Sequence, residues 1–144
     1  MRVLVQRSLE SKVEVNGKIT GKINNGLVLF TGFTYEDTEE NIDRLVKKIL
    51  NLRIFDDENG IMNKSVLDVN GQILSISQFT LYADSTNGNR PSYFKALPGD
   101  EAKKLYDLFN NKLKKYIKVE TGVFGANMKV MITNDGPVTI LLET

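Results

Sequence analysis

The stretch Gln72-Ile73-Leu74-Ser75-Ile76-Ser77-Gln78-Phe79-Thr80-Leu81-Tyr82-Ala83 decides how the rest of the chain is read. Its first half follows the turn signal Asn70-Gly71 and sets Ile73, Leu74 and Ile76 in one short apolar run. Such a run, bounded by a turn, is the pattern of a strand covered on both faces. Yet Ser75, Ser77, Gln78 and Thr80 interrupt it. If the strand ran to its end, Gln78 and Thr80 would share a face with Leu74 and Ile76, and Ser77 and Phe79 would point the other way. An unpaired polar group in a covered strand costs about 1–3 kcal/mol, so these side chains need partners. Two readings satisfy that need. Either the polar groups pair with neighbouring backbone or a wet strand end, or the strand end opens into a site where hydroxyls and an amide face a ligand.

Working outward, the segments on both sides supply companions for this strand. Upstream, Met1–Arg7 alternates as a strand, and Val13 and Val15 lead into Asn16-Gly17 with Ile19 beyond. Asn-Gly between alternating apolar residues signals a hairpin, because a type I′ turn needs positive φ at both central residues. A second turn at Asn24-Asn25-Gly26 precedes the buried strand Leu27-Val28-Leu29-Phe30. Ile42, Leu45, Val46, Ile49 and Leu50 then form the stripe of an amphipathic helix, with Asp37 or Thr38 as its N-cap. Arg53-Ile54-Phe55 is extended, and Asp56-Asp57-Glu58-Asn59-Gly60 lacks the spacing of a calcium loop and reads as a hairpin turn.

Downstream, Asp84–Pro91 is a surface loop and Pro98-Gly99-Asp100 opens a second helix. Its apolar stripe is Ala102, Leu105, Tyr106, Phe109, Leu113 and Tyr116, and Lys103, Lys104, Lys112, Lys114, Lys115 and Lys118 decorate the remainder. Those lysines are either a solvated face or a phosphate track. After a short extended segment at 118–121, Met128, Val130 and Ile132 alternate in a strand, Asn134-Asp135-Gly136-Pro137 reads as a turn, and Val138–Leu142 closes the chain. The expected fold is α/β of an α+β-like kind: a curled, mostly antiparallel sheet or partial barrel in one domain over residues 1–144, with two amphipathic helices packed outside.

Composition sets the limits on chemistry. With 41% apolar and 26% charged residues and a net charge of +1, the chain is an ordinary globular protein with no bulk pull toward nucleic acid. No apolar run is long enough to span a bilayer and Met1-Arg2-Val3 starts no signal peptide, so a cytoplasmic protein with no membrane partner is expected. The chain has no His and no Cys. That excludes Ser-His-Asp and Cys-His triads and the usual zinc ligand sets. Nothing points to a cofactor or a metal. Catalysis, if present, must come from carboxylates or lysines, from backbone and hydroxyl hydrogen bonds, or from a group on the substrate.

Two motifs, Ser77-Gln78-Phe79-Thr80-Leu81 and Asn134-Asp135-Gly136-Pro137-Val138-Thr139, together resemble the paired signatures of D-aminoacyl-tRNA deacylases. The resemblance extends over the whole chain through Val5-Gln6-Arg7, Arg53-Ile54-Phe55, Arg90-Pro91-Ser92 and Thr121-Gly122-x-Phe124-Gly125-x-x-Met128. It implies hydrolysis of the ester between a D-amino acid and the 3′-terminal adenosine of tRNA, clearance of some mischarged glycine, and sparing of L-aminoacyl-tRNA. It also implies a homodimer with active sites at the interface, where the strand-end motif of one subunit meets a Gly-Pro dipeptide with a cis bond from the other. By resemblance, Ser77, Gln78, Phe79 and Thr80 hold the aminoacyl-adenosine end, and Gly136 and Pro137 judge chirality. Arg7 supports their loop, and Phe124 and Met128 lie near the adenine or the pocket wall.

Thr80 has the residue type of a nucleophile but no visible base. The alternative is an oxyanion held by backbone N–H groups around Phe79 and Thr80, with the 2′-hydroxyl of the ribose activating water. Two readings of other classes compete: a nucleic-acid-binding module built on the lysine-rich helix, and a structural dimer whose polar strand is only its interface.

Overall fold

The computed structural model describes all residues, Met1–Thr144. Ten elements follow in order: strands β1 (Arg2–Val15), β2 (Lys18–Ile23) and β3 (Gly26–Gly32), helix α1 (Glu39–Asn51), strands β4 (Phe55–Asp56), β5 (Met62–Lys64) and β6 (Gln72–Ser77), helix α2 (Gly99–Leu113), and strands β7 (Val119–Thr121) and β8 (Lys129–Glu143). Local chemistry accounts for most boundaries. Asn16 and Gly17 both take positive φ, at 50° and 77°, and join β1 to β2. Thr38 caps α1 in a capping box: its hydroxyl accepts from the Asn41 N–H while the Asn41 side chain accepts from the Thr38 N–H at 2.8 Å. In the β4–β5 turn the Asp57 carboxylate accepts from the N–H groups of Asn59 and Ile61. These bonds, the Ile61 one foremost, lower its pKa.

The main sheet runs β2-β1-β3-β6-β7, with β8 also paired to β1. Pairings of β1 with β2, β3 and β8 are antiparallel, whereas β3–β6 and β6–β7 are parallel. The sheet curls until β2 meets β7: a Cβ on Gly21 would lie 2.8 Å from the Thr121 carbonyl. The result is an α/β curled sheet nearly closed into a barrel, as expected, with both helices on its outer face. That face is the larger core, where Val3, Val5, Leu27, Leu29 and Ile73 pack against Ile42, Leu45 and Ile49 of α1 and Tyr106, Phe109 and Leu113 of α2. The alternate residues Val13, Ile23, Val28, Leu74 and Ile76 fill the inside of the curl. Burial on both faces explains the apolar run of β3 and the adjacent Ile73, Leu74 and Ile76 of β6, each fully buried Leu or Ile contributing about 1.5–3 kcal/mol.

Three expectations need correction. β6 ends at Ser77, and Phe79–Tyr82 forms a 3-10 turn. The Gln78 N–H donates to the Thr31 carbonyl at 2.7 Å, after which β3 has run out and the Leu81 N–H folds back onto the Gln78 carbonyl. The strand alternation therefore does not reach Thr80. Next, Asn134–Pro137 reverses nothing: β8 pairs with β1 on both sides of it, as Gln6↔Thr139 and Ser8↔Asn134. The four residues 135–138 bulge out opposite the single residue Arg7. Finally, Tyr116 lies off the α2 stripe and is 64% exposed, because α2 stops at Leu113 and the chain tightens, with the Tyr116 N–H donating to the Leu113 carbonyl.

Candidate active site

The parallel strands β3 and β6 position the site. Their ladder runs from Gly26↔Gln72 to Thr31↔Ser77. Beyond its last rung the two chains diverge, and a cavity of about 600 Å³ opens at the carboxyl ends of the strands, where ligands of parallel sheets commonly bind. Its walls come from Thr31 and Gly32, from Ser77–Phe79, from Pro98 and Gly99 at the start of α2, and from the 124–128 segment. Gly32 lets the 3-10 turn lie close, since a Cβ there would be 2.8 Å from the Gln78 carbonyl.

Polar groups line this cavity, but ionic ones do not. None of its residues is Asp, Glu, Lys, Arg, His or Cys. The Gln78 amide donates to the Thr80 hydroxyl at 2.6 Å. Phe79, 56% exposed, meets Tyr93 edge to face with ring centres 5.1 Å apart. Phe124 rests 5.7 Å from the Tyr106 ring, and the Tyr106 hydroxyl donates to the Ser75 carbonyl at 2.8 Å. Burial raises the pKa of that phenol. The Thr31 hydroxyl is buried and has no partner. Phe79 and Thr80 open the 3-10 turn, so their N–H groups have no acceptor within it. The arrangement can hold a neutral or anionic oxygen by backbone donors, stack a flat ring, and exclude water from one wall. It offers no general base.

Five of the residues singled out from sequence come together here: Ser77, Gln78, Phe79, Phe124 and Met128 all line the cavity. Thr80 sits one step behind, held by Gln78. Arg7, Gly136 and Pro137 do not line it; they form a second cluster at the β8 bulge. Arg7 is only 8% exposed. Its guanidinium bridges the Asp135 carboxylate at 3.0 Å and donates to the Asp135 carbonyl at 3.3 Å and the Ile54 carbonyl at 2.8 Å. Asn134 ties the base of the bulge, its amide donating to the carbonyls of Arg7 at 3.0 Å and Val138 at 3.1 Å. The Gly136–Pro137 bond is cis, and both residues are exposed.

Sequence reasoning missed Thr31, Tyr93, Pro98, Gly99 and Asn127 as wall residues, and Asn134 as a brace. Thr31-Gly32 at the end of the apolar run 27–30 carries the same polar-end signature as Ser77-Gln78 and could have been found by it. Tyr93 gives no such signal.

The chain is similar to known proteins along nearly its whole length. A family model described as D-Tyr-tRNA(Tyr) deacylase matches residues 4–143. A D-aminoacyl-tRNA deacylase of Thermosipho africanus is 57% identical, covering 100% of this chain and 97% of that protein. One from Bacillus cytotoxicus is 54% identical, covering 100% and 99%. Among solved structures, the c-Myc DNA Unwinding Element Binding Protein superposes with a TM-score of 0.95 at 41% identity, over 100% of this chain and 99% of that one. A probable eukaryotic D-amino acid tRNA deacylase shares the fold, with a TM-score of 0.83 at 19% identity over 98% and 97% of the two chains. With a family model spanning nearly every residue and relatives more than half identical from end to end, this chain belongs to the D-Tyr-tRNA(Tyr) deacylase family and is a hydrolase.

Proposed function

We propose that the protein hydrolyses the ester of D-aminoacyl-tRNA, releasing D-amino acid and tRNA, and spares L-aminoacyl esters, acting as a homodimer in the cytoplasm. The observation that carries this reading is the separation of the two motifs. Ser77-Gln78-Phe79 lines a cavity, while Gly136-Pro137 stands exposed on a braced bulge away from its walls. A second copy of the chain that inserts its bulge into this cavity gives both motifs a role.

Handedness is difficult to read by attraction, because D and L esters carry the same groups. Rejection needs a stiff wall where the L side chain would go. The bulge suits that task. Arg7 and Asn134 fix it by hydrogen bonds to its backbone, and Gly136 has no Cβ to keep its carbonyls away from a substrate. A D side chain would point away from this wall and be accepted broadly. Glycine, with nothing to clash, would pass.

Hydrolysis then proceeds without a protein base. The Thr80 hydroxyl accepts from Gln78 and has no group to deprotonate it. The N–H groups of Phe79 and Thr80 stabilise the developing oxyanion, and the 2′-hydroxyl of the terminal ribose orients water. One such donor is worth about 10²–10³ in rate.

Incubation with D- and L-tyrosyl-tRNA tests the reading: D is cleaved, L is spared, and a 2′-deoxy terminal adenosine stops turnover. Equal cleavage of both mirror forms overturns it. For the shared site, Pro137→Ala begins to cleave L-tyrosyl-tRNA, and light scattering shows two copies of the chain in solution; a monomer that still spares the L ester removes the dimer.

A further inference from the structure

We propose that the shallow cleft between α1 and the end of β8 binds the sugar–phosphate backbone of the substrate's acceptor arm, a proposal that rests on the tRNA reading above. The lysine-rich helix α2 is the obvious candidate from sequence, but the structure neutralises half of that set. Lys103 pairs with Asp107, Lys112 with both Glu39 and Asp43, and Lys118 with Glu120. The free cations gather elsewhere. Arg44, Lys47, Lys48 and Arg53 line one cleft of about 750 Å³, and no carboxylate bridges any of them. The one acid in its wall, Glu143, is taken by Arg2 at 2.6 Å.

Charge at a helix end has a plain structural explanation, and it covers part of this set. Lys47 and Lys48 lie near the C-terminus of α1, where the dipole favours cations. Arg44 sits a turn earlier, with Lys47 and Lys48 at i+3 and i+4, a spacing at which like charges oppose the helix. Arg53 lies beyond the helix altogether. Its Nε donates to the Asn63 carbonyl at 3.0 Å, which fixes the guanidinium plane and leaves its other N–H groups for a ligand. Four unpaired cations in one concavity fit a polyanion with several charges, and a phosphodiester backbone is that ligand.

The cleft also lies on a continuous path to the cavity. Glu143, in its wall, pairs with Arg2. Arg2 in turn donates to the Leu81 carbonyl at 2.8 Å and lies over the Tyr82 ring at 4.7 Å. Leu81 and Tyr82 belong to the 3-10 turn whose first residue, Phe79, lines the cavity. A tRNA whose 3′ end enters the cavity can lay its stem along this edge.

The test compares two variants of the full-length protein: Arg44→Gln with Lys47→Gln and Lys48→Gln, and Lys104→Gln with Lys114→Gln and Lys115→Gln. Binding of uncharged tRNA is measured across salt concentrations by fluorescence anisotropy. Cleavage of D-tyrosyl-tRNA and of the minimal ester D-tyrosyl-adenosine is followed in parallel. In the α1 variant the slope of log K against log salt falls by about 0.7–0.9 for each phosphate no longer neutralised. KM for the tRNA ester rises about tenfold or more, and kcat and cleavage of D-tyrosyl-adenosine stay unchanged. The α2 variant changes the slope less. An unchanged slope in the α1 variant, or a larger change in the α2 variant, overturns the proposal. Failure of the wild type to cleave D-tyrosyl-tRNA would instead sink the function, and the anisotropy slopes would still judge the cleft.

Discussion

The two ends of the β3–β6 pair are built on opposite plans. At the amino ends nothing is left open. Gly26 takes φ +138°, and a Cβ there would overlap the Gln72 backbone. The Gln72 N–H donates to the Asn25 carbonyl, and its side-chain oxygen accepts from the Asn24 N–H, both at 2.9 Å. At the carboxyl ends the same strands part after Thr31 and Ser77, leaving donors without acceptors and a cavity without charges. The locked end holds the register, and the register fixes where the open end points its groups. A site on rigid strands can thus leave polar groups unpaired for a substrate.

Substitutions at the two ends should separate stability from activity. The largest effect is expected for Gly26→Ala, which combines an unfavourable φ with a backbone collision. A loss of about 4 kcal/mol or more should appear in denaturant unfolding; a well-folded variant would mean that the locked end is not the anchor. Gly32→Ala strains the open end instead. It should cost only about 1–3 kcal/mol in stability. Displacement of the 3-10 turn should lower kcat/KM about 10²-fold, and activity near wild type would show that the turn need not be so close. Thr80→Val removes the acceptor of the Gln78 amide, about 1 kcal/mol. Single-turnover deacylation should slow about fivefold; near-complete inactivity with normal binding would make Thr80 the nucleophile.

A pH experiment bears on the open end alone. Hydrogen bonds from Thr86, with help from Lys95, hold the Asp84 carboxyl well below its ordinary value of 3.8. A depressed folded-state pKa contributes stability that is present above 3.8 and lost as pH falls through the folded value. The segment 84–95, which carries Tyr93 to the cavity rim, should therefore be equally protected from protease at pH 5 and pH 8 and loosen only in strong acid. Loosening at pH 5 would contradict the clamp. The smallest effect is expected for Lys103→Gln on the exposed side of α2, within about 0.5 kcal/mol, with unchanged deacylation of the minimal ester.

Legibility in the sequence divides along the same line. The locked end was readable because turn chemistry is local: Asn24-Asn25-Gly26 and Asn70-Gly71 announce it, as Asn16-Gly17 announces the first hairpin. The open end was not. A four-residue 3-10 turn leaves no periodicity to detect, so Phe79–Tyr82 passes for continued strand. Thr31 carries a polar strand-end signal, but its place opposite Ser77 depends on pairing between strands far apart in sequence. The bulge at 135–138 looks like an ordinary turn until β8 is seen to rejoin β1 beyond it. Likewise the lysines of α2 gave no hint that Glu39 and Asp43, from another helix, would capture Lys112. Resemblance named Gln78 and Phe79 as site residues, but only packing could reveal Tyr93 beside them.

The uncharged cavity has a practical consequence for anyone seeking a small-molecule probe. Electrophilic warheads find no thiol, amine or imidazole among its lining residues, so alkylating reagents gain no foothold there. A useful inhibitor would have to succeed by shape, by stacking against Phe79 or Phe124, and by an ester mimic that cannot be cut.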